Sequence, residues 1–193
     1  MKNLTIKFHI LLFTTISFSC VSKEQTESSK FVENQLTTAQ QDDLVQRLST
    51  GLTLHPTSIA EKDRNAIYSL AIDSLWDIQE TASGLCYQIL QQGAGDSIQW
   101  ADYLEAHYEG RFLDGFIFDS SFKRRKPLQF YVGNMIEGWN EGLQLLRVGG
   151  KIRLITPSHL AYQEAGLLAT NGDTLIPPHQ ILVFYIEVLK KTN

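Results

Sequence analysis

Residues 103–122 read YLEAHYEGRFLDGFIFDSSF, which combines a strand-like run, a turn and a second apolar run. The first run extends from Tyr103 to Phe112 and is rich in aromatic residues, as strands are. Asp114-Gly115 then stands between two apolar stretches, and glycine accepts the positive φ that a tight hairpin turn needs. This segment therefore predicts two antiparallel strands joined by a turn at Gly115.

Further strand-like runs lie on both sides of this hairpin. They cover residues 85–89, 128–132, 151–156 and 181–189. The last of these runs is apolar on both faces, which predicts a strand in the centre of the sheet.

A single short helix is predicted between the strands, over residues 138–146. Trp139, Leu143 and Leu146 recur in it at helical steps, and Gly149-Gly150 follows it. Strands interrupted by one short helix are typical of an α+β domain with an antiparallel sheet. We expect this domain to occupy residues 83–193.

Residues 36–80 predict two short amphipathic helices. Two sets of residues have the spacing of a capping box, namely Thr37 or Thr38 with Gln40 or Gln41, and Ser58 with Glu61. Ile67 and Leu70 belong to an apolar stripe of the second helix. Two such helices cannot bury their stripes alone, so they must pack on the following domain, on each other or on a second copy of the chain.

The first 35 residues have the pattern of an export signal followed by a tether. Lys2 and Lys7 precede an apolar run over residues 8–19, which is shorter than the roughly 20 residues that span a bilayer. A secretory signal over residues 1–19 is therefore favoured over a transmembrane helix, and a buried N-terminal helix is the alternative. Residues 20–35 are mostly polar and are expected to form a flexible tether.

The end of this signal resembles that of a bacterial lipoprotein. In that class the cysteine after the apolar run is lipidated on sulfur, and here Cys20 follows the small Ser19. Ser17 departs from the branched aliphatic residue that usually stands three places before the cysteine. The resemblance implies an exported protein on the periplasmic or cell-envelope side, lipid-anchored to a membrane, with the outer membrane as the expected one. Cys86 is then left alone and is expected to be a buried, inert thiol.

Composition excludes several classes of function. A length of 193 residues allows one ordinary domain plus an appendage, and 43% hydrophobic residues fit a folded core. The net charge of -4, which becomes -6 on loss of residues 1–19, offers no basic field for nucleic acid. The five histidines are scattered, and phosphate-binding and G-x-S-x-G motifs are absent, so we expect neither a metal nor another cofactor.

Six short motifs follow one another along residues 83–193. They are Ala106–Gly110, Asp114-Gly115 with Phe118–Ser121, Pro127–Gly133, Met135–Gly142, Ala161-Tyr162, and Ile176–His179 running into Leu182–Phe184. In this order they resemble the FKBP-type peptidyl-prolyl cis/trans isomerases. The resemblance implies a half-barrel antiparallel sheet wrapped over the 138–146 helix, with an apolar pocket between helix and sheet.

The resemblance also implies the residues of the pocket. Tyr108, Asp119 and Tyr162 are the implied catalytic residues: the Tyr162 hydroxyl bonds a substrate carbonyl, and the Asp119 carboxylate orients the site or acts electrostatically. The implied substrate-binding residues form an apolar cup with Trp139 as its floor, namely Phe118, Leu128, Phe130, Met135, Ile136, Trp139, Ile176 and Phe184. Without the motif order, core packing would explain most of the aromatic residues, and a turn cap would explain Asp119.

Such a pocket needs no nucleophile. Rotation about an X-Pro bond faces a barrier of roughly 18–20 kcal/mol because twisting destroys amide resonance, and no bond is made or broken. A dry aromatic cup can favour the less polar twisted amide, and each ~1.4 kcal/mol of preference gives about tenfold in rate. The predicted function is an isomerase that assists the folding of exported proteins, with proline-containing polypeptides and macrolide inhibitors as its partners.

The same scaffold could instead serve as a non-catalytic peptide-binding chaperone or interaction module. Leu128 stands where the family usually has an aromatic residue, Met135 where it has valine, and Gln163 where a glycine normally follows the tyrosine. A glycine backbone conformation would be strained for Gln163 and would move the Tyr162 hydroxyl.

Two regions outside the pocket carry further predictions. Residues 36–80 resemble the N-terminal helices of longer bacterial isomerases, which mediate dimers or hold clients, so a homodimer through this segment is one prediction. Residues 164–174 form a loop that is long for the minimal fold and is expected to overhang the pocket.

Overall fold

The computed structural model describes residues 36–192, so the predicted signal, the tether and Cys20 lie outside the described residues. Two helices come first, α1 (Thr38–Thr50) and α2 (Ile59–Asp73). Within residues 36–192, every helix is too short or too polar to cross a bilayer.

Both helices begin at a capping box. The Thr37 hydroxyl accepts a hydrogen bond from the Gln40 amide, and the Gln40 side chain accepts one from the Thr37 amide. Ser58 and Glu61 are paired in the same way at the start of α2. Of the residues that the sequence left open, the structure selects Thr37 and Gln40, and Gly51 caps the other end of α1 as its position suggests.

Antiparallel strands form most of the remaining chain. In the described part they are β1 (Gln79–Glu80), β2 (Cys86–Gln91), β3 (Tyr103–Arg111), β4 (Ile117–Ser120), β5 (Leu128–Tyr131), β6 (Lys151–Thr156), β7 (Leu167–Leu168), β8 (Thr174–Ile176) and β9 (Leu182–Thr192). The main sheet has the order β1-β2-β6-β9-β3-β4, and β5 pairs with the first half of β3. With the short helix α3 (Glu137–Leu143), this arrangement confirms the predicted α+β class.

Three details differ from the sequence-based expectations. The helix predicted to reach Leu146 ends as an α-helix at Leu143, and residues 144–146 continue as hydrogen-bonded turns. Residues 79–80, expected in the helical segment, pair with β2 at the edge of the sheet. The segment 164–174 is not an open loop throughout, because β7 within it pairs with β8.

The central strand β9 separates two apolar cores. Phe184 and Ile186 belong to the core that contains α3, whereas Val183 belongs to the core beneath α1 and α2. This alternation follows from the period of two in a strand, and β9 pairs with β6 on one side and β3 on the other, as expected for a central strand. Ile67 of α2 is buried in the second core, so its stripe packs against the sheet of the same chain. Cys86 is fully buried there too.

Among the polar contacts between the helical segment and the rest of the domain, two involve buried charged side chains. Asp63 of α2 is buried, and its carboxylate accepts hydrogen bonds from the Ser158 amide (2.8 Å) and hydroxyl (2.6 Å). Trp76, after α2, lies over the guanidinium of the buried Arg153, whose central carbon is 3.7 Å from the ring centroid. The helical segment is therefore attached to the domain at two separate points by polar and cation–π contacts.

Helix α3 approaches β6 very closely. A Cβ on Gly138 would lie 2.5 Å from the Thr156 methyl group, and one on Gly142 would lie 2.5 Å from a Leu154 methyl group. Both distances are far below van der Waals contact, so the two glycines allow the helix to rest on the sheet. Because Trp139 belongs to α3, this close approach determines the distance of its indole from the sheet.

Candidate functional site

The floor of the site is Trp139, which is buried among other aromatic rings. The rings of Tyr108, Phe130 and Phe184 meet the indole edge to face, with centroids 5.2, 5.5 and 5.3 Å from it. Phe118 in turn meets Phe184 at 5.8 Å and 88°. Edge-to-face contacts from three sides fix the orientation of the indole.

A cavity of about 360 Å³ opens above this floor. Its lining combines the floor with side chains from β3, β4, β9, the turn before α3 and the segment after β6, namely Tyr108, Phe118, Asp119, Asn134, Met135, Ile136, Trp139, Tyr162 and Phe184. Five separate parts of the chain thus converge on one apolar cup with a polar edge.

The polar edge is a cluster of Tyr108, Asp119 and Arg124. The Tyr108 hydroxyl donates to one oxygen of Asp119, and Arg124 forms an ion pair with the other. Arg124 also donates to the Tyr108 hydroxyl at 2.9 Å. Burial, together with the hydrogen bond to Asp119, raises the pKa of Tyr108 to about 12, so this hydroxyl stays protonated at neutral pH and its proton is committed to the carboxylate.

Tyr162 also lines the cavity and comes from the segment after β6. Its hydroxyl has no hydrogen-bond partner within residues 36–192, and burial and the charge of Asp119 raise its pKa above the ordinary value. Tyr162 is therefore a neutral donor whose proton is available to a ligand.

Gln163 has φ of 53°, in the left-handed region. This is the glycine-like conformation that the sequence comparison anticipated, and glutamine adopts it at a cost of order 1–3 kcal/mol. The strain is held by backbone hydrogen bonds from the Gln163 amide to Ser158 (3.1 Å) and from the His179 amide to the Gln163 carbonyl (2.7 Å). Both peptide groups of Gln163 are thus held by hydrogen bonds, which restrains the backbone next to Tyr162.

Buried polar side chains position the other elements of the site. The Ser121 hydroxyl accepts from the Tyr108 amide at 2.8 Å and donates to the Tyr108 carbonyl at 3.1 Å, which ties β3 to the end of β4. Asn140 of α3 accepts from the Gly133 amide (2.8 Å) and donates to the Met135 carbonyl (2.8 Å). These bonds hold the turn that supplies Met135 to the cup.

The structure does not bring every predicted substrate-binding residue to the cavity wall. Phe130 lies behind Trp139 and supports it, and Ile176 is buried in the same core without lining the cavity. Leu128 lines a different cavity beside this one. The remaining predicted residues, Tyr108, Phe118, Asp119, Met135, Ile136, Trp139, Tyr162 and Phe184, line the cup together.

Sequence reasoning missed Arg124 and Asn134. Asn134 lies between the Pro127–Gly133 and Met135–Gly142 motifs, a position that could have marked it as part of the wall. Arg124 is one of four successive basic residues, and no local signal distinguishes the one that pairs with Asp119. Within the described residues no group of His, Cys, Asp and Glu side chains could hold a metal ion.

Comparison with known proteins agrees with this geometry. The sequence profile of the FKBP-type peptidyl-prolyl cis-trans isomerase family matches residues 95–189. A crystal structure of AtFKBP13 is 35% identical, and the match covers 60% of this chain and 99% of that one, with a TM-score of 0.55. The chain belongs to the FKBP-type isomerase family. All residues of the aromatic cup and its polar edge lie within residues 95–189, the part of the chain that the FKBP profile matches.

Two bacterial FKBP proteins extend the comparison. A probable FKBP-type isomerase of Haemophilus influenzae is 42% identical over 113 residues, which are 58% of this chain and 45% of that protein. FkpA of Escherichia coli is 38% identical over 112 residues, which are 58% of this chain and 39% of FkpA. The FkpA crystal structure matches 83% of this chain and 75% of its own with 26% identity and a TM-score of 0.59. The chain thus spans less than half the length of these two curated relatives.

Proposed function

We propose that this protein is a peptidyl-prolyl cis/trans isomerase that assists the folding of exported proteins. The observation that carries the proposal is the Tyr162 hydroxyl, a protonated donor without a partner in the described chain, at the edge of an apolar cup whose floor is Trp139. Trp139 offers a flat surface to a proline ring, and Tyr162 offers a hydrogen bond to a carbonyl next to it.

The reaction needs only selective binding of the twisted amide. Twisting breaks conjugation between nitrogen and carbonyl, so the amide becomes less polar and fits an apolar cavity better than the planar form does. The Tyr162 hydroxyl holds the peptide while the bond turns, and the paired carboxylate of Asp119 gives a fixed negative field beside it. No proton transfer is required, since both tyrosines keep their protons at neutral pH.

A cis-to-trans assay on a proline peptide tests this function. Tyr162→Phe with Asp119→Leu should lower kcat/KM by at least tenfold, and Tyr131→Phe, which removes an exposed hydroxyl from β5, should leave it unchanged. Equal, background rates for the wild type and the double variant would reject the isomerase. High activity in the double variant would reject the assigned site alone. A macrolide inhibitor should compete with the peptide for the same cup.

A non-catalytic peptide-binding module is the second candidate. The cost of the left-handed backbone at Gln163 favours it, because relaxation of that backbone would move the Tyr162 hydroxyl from its position in the cup. Gln163→Gly removes the side chain and relaxes this conformation. If the wild type binds proline peptides without accelerating isomerisation and the glycine variant gains activity, the binding module is the correct description.

We further propose that the protein is exported to the periplasmic or cell-envelope side and anchored by lipid at Cys20, with the outer membrane as the expected membrane. The apolar run over residues 8–19, the small Ser19 and the polar stretch after Cys20 support this. Buried acyl methylenes contribute roughly 0.8 kcal/mol each, so several chains together would give stable anchoring. Mass spectrometry of the mature N-terminus should find a lipidated Cys20, and an unlipidated chain that begins elsewhere would contradict the anchor.

We also propose a homodimer through residues 36–80, but its interface cannot be the Ile67 stripe. Ile67 is used against the sheet of its own chain, so a dimer would have to use the outer faces of α1 and α2, where Val45 and Ile59 are exposed. Sedimentation over a range of concentrations tests it, and a monomer at the highest concentration would argue against the dimer.

A further inference from the structure

A basic segment borders the cup on the side of Asp119. Residues 123–126 read Lys-Arg-Arg-Lys in the turn between β4 and β5, and all four residues are exposed. Within residues 36–192 only Arg124 among them has an acidic partner, which is Asp119. Three positive charges at this one place thus have no counter-charge among the described residues, in a chain whose net charge is -4.

A second cavity, of about 510 Å³, lies beneath this segment. Its lining contains both basic and apolar side chains, namely Tyr103, Arg124, Lys126, Pro127, Leu128 and Gln129. We call this cavity, with Lys123 and Arg125 at the same turn, the basic groove. Leu128, which the resemblance assigned to the cup, supplies part of its apolar lining.

Arg124 connects the basic groove to the cup. It lines the groove, and its guanidinium contacts both the Asp119 carboxylate and the Tyr108 hydroxyl, which line the cup. A chain bound in the cup that continues past Arg124 would therefore enter the groove.

Glu105, whose partner Gln129 lines the groove, is already engaged. Glu105 accepts a hydrogen bond from the side chain of Gln129 at 2.8 Å and forms an ion pair with Lys190 at 3.2 Å. Its charge is offset by Lys190, so it does not neutralise Lys126. The groove thus offers a positive field to whatever enters it.

We infer that the basic groove receives an acidic side chain of the client polypeptide, close in sequence to the proline that occupies the cup. This inference rests on the proposed function and specifies its substrate class. The apolar lining takes the backbone and methylene groups of the client, while Lys126 and its neighbours attract the carboxylate. A polypeptide is favoured over a membrane surface because the charges border a concave cavity, and Arg124 of that cavity contacts two residues of the cup.

The test compares peptides that are identical except for one residue. The full-length chain is given proline peptides in which glutamate or glutamine occupies each position from one to four residues on either side of the proline. Both kcat/KM and the peptide dissociation constant are measured. We expect a two- to fivefold preference for glutamate at one or more positions, because an exposed ion pair contributes modestly, and this preference should fall as salt is added.

Lys126→Glu and Lys62→Glu are matched variants. Both reverse one exposed positive charge, but Lys62 lies on α2, away from the groove, and neither lysine is part of the cup. Lys126→Glu should abolish or invert the preference for glutamate. Lys62→Glu should keep the preference.

The outcomes separate the two proposals. Equal values for glutamate and glutamine peptides, with isomerisation intact, would overturn the acidic-client inference and leave the isomerase standing. A preference in binding without any isomerisation would overturn the isomerase and leave the groove standing. Binding to phosphatidylglycerol vesicles that Lys126→Glu abolishes, without any glutamate preference, would assign the basic segment to a membrane surface instead.

Discussion

Asp63 connects α2 to the turn before Tyr162, and Asp63→Ala should lower the free energy of unfolding by about 3 kcal/mol. One oxygen of the buried carboxylate accepts from both the amide and the hydroxyl of Ser158, at 2.8 and 2.6 Å. Hydrogen bonds to a charged group contribute about 1.5–3 kcal/mol each, and the two donors of Ser158 would be left unpaired in a buried position. The sum is reduced because alanine removes the cost of burying a carboxylate.

The same substitution should also affect the site. The Ser158 carbonyl accepts from the amides of Ala161 and Gln163, so the turn that carries Tyr162 is built on Ser158. Loosening that turn should lower kcat/KM by about tenfold, since small displacements of a positioning hydroxyl are costly. The effect would show that the helical segment contributes to the pocket, although none of its residues lines the cavity.

Urea denaturation and the cis-to-trans assay measure the two effects. A double-mutant cycle with Ser158→Ala should give a coupling energy of about 1–3 kcal/mol, because both substitutions remove the bond between the Ser158 hydroxyl and the Asp63 carboxylate, whereas only Asp63→Ala also removes the bond from the amide of residue 158. Asp73→Ala, at the exposed end of the same helix, is the control and should stay within about 0.5 kcal/mol of the wild type. A change of less than 0.5 kcal/mol for Asp63→Ala, or additive effects in the cycle, would refute the reasoning.

Other regions give further predictions. Gly142→Ala should cost about 1–3 kcal/mol in urea denaturation, because its Cβ would lie 2.5 Å from buried Leu154, and a neutral effect would mean that α3 can move off the sheet. Trp76→Ala should cost about 2–4 kcal/mol by removing the ring over Arg153, and Trp76→Phe should cost clearly less; equal losses would contradict the cation–π contact. Stability should fall as pH rises from about 10 to 12, since tyrosine ionises first in the unfolded chain while Tyr108 keeps its proton up to about 12. Tyr108→Phe should show a smaller fall, and an equal fall would assign the loss to other groups.

The parts of the fold that depend on neighbouring residues could be predicted from the sequence. The capping boxes at Thr37 and Ser58 and the strand after Tyr103 are local, and the structure has them where the patterns indicate. The bond between Asp63 and Ser158 could not be predicted, because the two residues are 95 positions apart and only tertiary packing brings them together. The pairing of β7 with β8 could not be predicted either, because both strands are short and carry little sequence pattern of their own.

The candidate site shows the same division. The order of motifs pointed to the cup residues around Trp139, but a motif does not specify how far along a strand the cavity extends. Leu128 therefore lines the basic groove, and Phe130 supports the floor from behind. The role of Arg124 could not be predicted, because four successive basic residues are typical of a solvent-exposed turn. Only the fold determines which of them pairs with Asp119.

The burial of Cys86 gives the chain a built-in reporter. Its thiol lies at zero exposure between the sheet and the helices α1 and α2, and burial raises its pKa to about 12. The exposed thiolate is the nucleophile that reacts with thiol reagents, so labelling requires the helices to lift from the sheet. The labelling rate in native buffer therefore measures how often this lifting occurs, and bound client peptide that slowed it would reveal communication between the helical layer and the cup.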